Sequence, residues 1–268
     1  MKIESKRIIL LFILILLVFI TDCIPVVPVK FKPNLIIDAL YYDYLKDKLT
    51  YGDVVYVTLV RANASEPLDE SKFLFRINKL KAIDDSRIKK AVVFSSLEDL
   101  IKYIDELPGS VEWISYNTER KITPSSENLN ILESIAKFSN IVHRHGKKMG
   151  WAPVVSLIDS LNENGILKEI LPLLDSIGYQ GQNILLSRGV KGFEENVEEK
   201  SQLFKRYNPD IKVKVQLVLR KNRKEDIVEG FRRIEDCIDY AVIFCYGNPQ
   251  ENVPILEEII TGLRSVYN

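Results

Sequence analysis

A chain of 268 residues, 46% hydrophobic and 28% charged, has enough apolar mass for one large core, and α/β barrels commonly use about 250 residues as a single domain. Lysines and arginines number 37, as do aspartates and glutamates, so no net positive field exists to attract nucleic acid. Two histidines leave little for a histidine-based metal centre, and neither metal nor cofactor is expected.

The chain opens with Lys2, Lys6 and Arg7, followed by an unbroken apolar run at 8–20. A basic flank before such a run marks a signal peptide or a signal anchor. Ile20-Thr21-Asp22-Cys23 has the outline of a lipoprotein box with Cys23 as lipid acceptor, but Asp22 stands where that box takes a small residue. The first expectation is therefore an uncleaved membrane anchor. Its basic side faces inward and the remainder of the chain lies outside the cell. Domain boundaries follow: anchor and proline-rich spacer at 1–30, then one folded domain at 31–268.

From residue 30 onward, short apolar runs rich in Val and Ile alternate with longer amphipathic segments. The runs at 35–39, 54–60, 91–94, 111–116, 149–154, 176–180, 213–219 and 240–245 predict strands buried on both faces. Helical periodicity predicts helices at 69–80, 97–106, 126–145, 158–171, 193–207, 224–237 and 250–267. Thr123-Pro124 reads as an N-cap with proline at the first helical position, and Asn248-Pro249 repeats the device, with Glu251 placed for a capping box. His145-Gly146 reads as a glycine stop. This order predicts a (β/α)8 TIM-type barrel behind an N-terminal hydrophobic helix. Between the first two strands only a short helix fits, so the first βα unit is irregular. A seven-strand or partly open barrel and a doubly wound sheet are the alternatives. Cys237 and Cys245 flank one strand, too far apart for a disulfide, and are read as buried thiols.

Function in such a barrel collects on the loops after the strand C-termini. Those loops carry Asp38, Arg61, Asn63, Tyr116, Asn117, Glu119, Trp151, Gln180, Gln216, Arg220 and Tyr246. Aromatic faces suit sugar rings and amides suit hydroxyls, so carbohydrate is the expected ligand. Glycoside hydrolysis normally takes two carboxyl groups, one acid and one nucleophile or base. Glu119 supplies one, and Asp38 or Asp159 is the candidate second. Arg220-Lys221-Asn222-Arg223 with Gly247 is a lesser, phosphate-binding reading. His143 and His145 stand two apart on a helix and face different ways, which makes them helix-end residues. Asn63-Ala64-Ser65 is a glycosylation sequon.

Tyr116-Asn117-Thr118-Glu119, Thr123-Pro124, Glu127, His145-Gly146 and Trp151-Ala152-Pro153 together resemble a loosely defined group of glycosidase-like barrel proteins that often carry a leader. The likeness spans roughly residues 90 to 250. It implies a glycosidase-type barrel with the Asn117/Glu119 loop as its centre. Two functions are expected from these residues. One is a membrane-tethered barrel acting on a glycan, with Glu119 and Asp38 catalytic and Tyr116, Asn117, Trp151, Gln180, Gln216, Arg220 and Tyr246 binding sugar. The other is a glycan-binding or envelope-structural barrel without catalysis.

Overall fold

The alternating apolar runs close into an eight-stranded parallel barrel in the computed structural model, which describes residues 31–265. The strands are β1 (Asn34–Asp38), β2 (Val54–Leu59), β3 (Lys89–Phe94), β4 (Val111–Thr118), β5 (Lys148–Pro153), β6 (Ser176–Gln180), β7 (Lys212–Val218) and β8 (Tyr240–Phe244). Each pairs with the next, and β8 returns to β1 through Asn34 opposite Tyr240 and Ile36 opposite Val242. Closure excludes the open-barrel, seven-strand and doubly wound alternatives. Side chains alternate as strand geometry requires. Leu35, Ile37, Ile114 and Tyr116 pack outward into the main core beneath the helices, whereas Ile36, Trp113 and Tyr240 point into the lumen with Val54, Tyr56 and Ala91.

The helices are α1 (Tyr42–Leu45), α2 (Glu70–Lys81), α3 (Leu97–Tyr103), α4 (Ser125–Leu129), α5 (Ile131–Arg144), α6 (Val155–Glu163), α7 (Leu167–Ile170), α8 (Gln182–Tyr207), α9 (Lys224–Arg233) and α10 (Pro249–Arg264). The first βα unit is irregular as anticipated. A 3-10 turn capped by Asp38 leads into α1, and buried Tyr41, Leu45 and Leu49 cover what a longer helix would. Two expected helices are interrupted, and a third is longer than expected and kinked. Asn130, at φ −114° and ψ 50°, separates α4 from α5. Gly165, at φ +71°, lies in the break between α6 and α7, and Gly189, at φ +68°, divides α8. α8 also begins eleven residues before the expected start at 193, reaching back to Gln182 at the barrel mouth.

The predicted glycine stop is present, with Gly146 at φ +67° and its N–H donating to the carbonyl of His143. At the start of α10, the Asn248 side chain accepts from the N–H of Gln250, 3.0 Å away. Cys237 and Cys245 are free and half-buried, more open than expected.

Two ion pairs pin the helical layer to the barrel. Asp53, fully buried ahead of β2, receives Arg264 of α10 at 2.7 Å and the N–H groups of Leu35 and Thr50. Arg61, after β2, binds buried Asp99 of α3 through two nitrogens, at 2.6 and 3.1 Å. The expected anchor and spacer at 1–30, with Cys23, lie outside the described residues. No helix among the described residues is long and apolar enough to cross a membrane.

Candidate functional site

Glu119 immediately follows β4, in a turn that its own sequence ties down. Thr123 does not cap the next helix; α4 begins at Ser125, with no side-chain cap. Instead the Thr123 hydroxyl, fully buried, donates to the carbonyl of Asn117 at 2.9 Å and accepts from the N–H of Glu119 at 3.1 Å. The N–H of Thr123 closes the loop on the carbonyl of Glu119 at 2.8 Å. This clamp turns Glu119 away from its exposed neighbours Arg120 and Lys121 and towards the lumen.

Two amides then hold the carboxylate. Asn117 Nδ2 donates to Glu119 Oε1 at 3.1 Å, and Gln180 Nε2, from the end of β6, donates to the same oxygen at 2.8 Å. Gln182 Nε2, in the first turn of α8, in turn donates to Gln180 Oε1 at 3.1 Å. Both bonds to Glu119 fall on Oε1, so Oε2 is left without a partner among the described residues. Asn117 Oδ1 is buried and also has no partner among the described residues.

Beneath this carboxylate the barrel is hollow. A cavity of about 250 Å³ runs from Glu119, Gln180 and Gln216 down to Trp113, Lys214 and Tyr240. One reason is the choice of small residues on the inward face of β4 to β6. Ser115, Gly150, Ala152, Ser176 and Gly178 stand where barrels commonly place bulky aliphatics. A Cβ on Gly150 would lie 2.4 Å from Ser115 Oγ and 2.9 Å from Ser176 Oγ. The opposite wall is aromatic. At the rim, Phe244 and Tyr246 meet edge-on with centroids 4.8 Å apart, and Tyr246 is 70% exposed. The lumen desolvates its polar groups: burial pushes the Tyr56 and Tyr240 phenols above their ordinary range and the Lys214 ammonium down to about 7.

The remaining candidates divide clearly. Asn117, Glu119, Gln180, Gln216 and Tyr246 border the cavity together. Tyr116 does not; it stacks on Phe138 at 4.5 Å and donates its hydroxyl to Glu127, on the outer side of the barrel. Trp151 borders the cavity, but it belongs to the outer core and its Nε1–H is taken by Thr118 Oγ1 at 2.9 Å. Arg220 lines a separate small pocket against Gln182 and Leu186. Asp38 is not among the cavity residues. Its carboxylate is engaged by Arg76 at 2.9 and 3.0 Å and by the N–H of Leu40. Asp159 is paired with Lys200 at 2.6 Å on the helical layer. Glu119 is thus the one carboxylate among the described residues that line the cavity.

Asn63 folds its own loop, with Oδ1 accepting from Ser65 and Glu66. His143 and His145 pair with Asp175 and Asp105 at the end of α5. Sequence reasoning missed Lys214, Trp113 and the Thr123 clamp as parts of the site. The alternation Lys212, Lys214, Gln216 within an otherwise apolar strand was a signal that β7 turns a polar face inward.

No family model and no curated protein matches the sequence. Solved structures do match in fold. A family 18 chitinase from Crocus vernus aligns with a TM-score of 0.60 at 11% identity, over 87% of this chain and 100% of that one. The catalytic domain of a family 18 chitinase from the fern Peteris ryukyuensis gives 0.55 at 9% identity, with the same coverage of both chains. Tryptophan synthase from M. tuberculosis gives 0.53 at 12% identity, over 87% and 92% of the two chains. A chitinase and a tryptophan synthase share this likeness, so it defines a TIM-type barrel and leaves the chemistry to the site.

Proposed function

We propose that this protein is a carbohydrate-binding barrel that takes a single sugar residue into its mouth at Glu119. The observation that carries the reading is the carboxylate itself, fixed on one oxygen by Asn117 and Gln180 with its other oxygen free, above an aromatic-walled cavity. A free carboxylate oxygen accepts a sugar hydroxyl, the Gln216 amide offers a second polar contact, and Phe244 and Tyr246 offer ring faces to the sugar's C–H surface. A volume of about 250 Å³ falls below the roughly 300–1,000 Å³ of drug-sized sites, which favours one ring over an oligosaccharide.

Hydrolysis is the second reading, supported by the same free oxygen of Glu119. With one carboxylate at the cavity, the two-carboxylate mechanism lacks its partner. Cleavage would then need a substrate that supplies its own nucleophile, as substrate-assisted glycosidases use. The experiment is a panel of neutral and N-acetylated mono- and oligosaccharides, assayed for binding and turnover on wild type and Glu119→Gln. The proposal expects monosaccharide binding weakened about tenfold or less by the substitution, since one charge-assisted bond becomes neutral, and no turnover by either protein. Turnover that vanishes in Glu119→Gln would select hydrolysis, and no binding across the panel would overturn both.

The external, membrane-tethered location is also proposed, on the basic flank and apolar run at 2–20. Fractionation of the full chain should recover it with membranes, and recovery in the soluble fraction would contradict the anchor.

A further inference from the structure

Among the described residues Lys214 is the one cationic side chain bordering the lumen cavity, and the proposed sugar binding leaves it unused. It sits on the inward face of β7, two residues before Gln216 and opposite Gly178 of β6. A Cβ at position 178 would stand 3.2 Å from the Cβ of Lys214, so the glycine makes room for the lysine stem. Its Nζ lies 4.4 Å from the ring centroid of Trp113 and 5.7 Å from that of Tyr240. Among the described residues no carboxylate or other hydrogen-bond acceptor reaches it. The nearby Lys148, with Nζ 5.2 Å from the Trp113 centroid, adds a second cation and no acceptor. Trp113 itself is buried, borders the same cavity and has an Nε1–H with no partner.

An ammonium held this way is partly stripped of hydration without gaining a counter-ion, and it relieves that state by giving up its proton. Burial pushes its pKa down to about 7, with the carboxylate of Asp175 acting in the opposite direction. A neutral amine facing a cavity open towards solvent is a nucleophile, and desolvation in an apolar pocket is one way lysines are activated for carbonyl chemistry.

We propose that Lys214 is a reactive amine that condenses with small aldehydes or ketones entering the lumen, forming an imine. The Nζ lone pair bonds to the carbonyl carbon while the C=O π pair moves to oxygen, giving a carbinolamine. The nitrogen lone pair then forms C=N as the C–O bond breaks, and the oxygen leaves as water with the two hydrogens that the amine gives up. The step consumes no oxidant or reductant. The unpartnered Trp113 N–H is a donor for the oxygen at the cavity floor. The cavity volume restricts the partner to a short-chain or single-ring carbonyl compound, whether or not its natural occupant is a sugar.

The test is reductive trapping. The full chain is incubated with glyceraldehyde and cyanoborohydride at pH 7, and labelled lysines are located by peptide mass mapping over time. At that pH about half of a pKa-7 amine is neutral, against fewer than about one in a thousand for an ordinary lysine near 10.4. Lys214 is expected to label at least tenfold faster than exposed lysines such as Lys191. Lys214→Met should remove the fast label, and Lys148→Met should leave it in place. A Lys214 that stays unlabelled, labels no faster than Lys191, or passes the fast label to Lys148 would overturn the proposal. The wild-type rates decide the matter even where a variant fails to fold.

Discussion

Thr123 serves two strand-end groups with one hydroxyl, and both are buried or half-buried where water replaces it poorly. Thr123→Val keeps the shape and removes the hydroxyl, leaving the Glu119 N–H and the Asn117 carbonyl unpartnered. A loss of about 1–3 kcal/mol is expected in urea unfolding, with sugar binding weakened in parallel; unchanged stability would show the clamp to be incidental. Lys214 makes a prediction of opposite sign. Folded, it releases its proton near pH 7, whereas the unfolded side chain keeps it to about 10.5. Between those values the unfolded chain binds more protons, so the lysine's penalty fades and stability rises with pH. Wild type should therefore gain on Lys214→Met as pH climbs from 7 to 10, with the variant more stable at pH 7. Parallel stability curves would contradict the shift. At this scale Glu119 and Asn117 were legible because they end a strand with a clear apolar core. Parity places Tyr116 outside the cavity and leaves Trp151 bordering it from the outer core. If Asn117 faces inward, Tyr116 one residue away must face out, and Trp151 beside inward Ala152 roots in the outer core.

Strand positions were readable to within two residues because burial on both faces leaves few polar residues to confuse the period. Helix ends were harder. Asn130 splits the stretch read as one helix at 126–145, where the short segment before it buries nothing, and the part of α8 before Gly189 was not read as helical. The link between Asp53 and Arg264 could not be read at all, since 211 residues separate the partners. Arg264→Met strands a fully buried carboxylate, and a loss of about 3–5 kcal/mol is expected, with α10 the first element to gain amide-hydrogen exchange. A loss below about 1 kcal/mol would mean that the N–H groups of Leu35 and Thr50 suffice for Asp53. Inside the barrel, Gly150→Ala should cost about 1–3 kcal/mol by crowding Ser115 and Ser176. Thermal unfolding unchanged by it would mean that the hydroxyls rotate aside freely.

At the largest scale, residues 31–265 form a barrel with its centre left open on one side. Small residues on β4 to β6 face an aromatic wall, and the carboxylate and amides of the hollow gather at the C-terminal mouth, where barrels of this type carry their chemistry. The eight-fold βα order was legible in the sequence, but the hollow was not, because it depends on which residues of eight separate strands share a level. The same hollow brings Glu119 at the mouth and Lys214 at the floor into one cavity. The most direct test is a crystal structure of the full chain with the monosaccharide that binds best in the glycan panel. The ring should lie against Phe244 and Tyr246, with a hydroxyl within hydrogen-bond distance of Glu119 Oε2. A sugar bound outside the barrel, for example beside Arg220, with the lumen unchanged, would contradict the account.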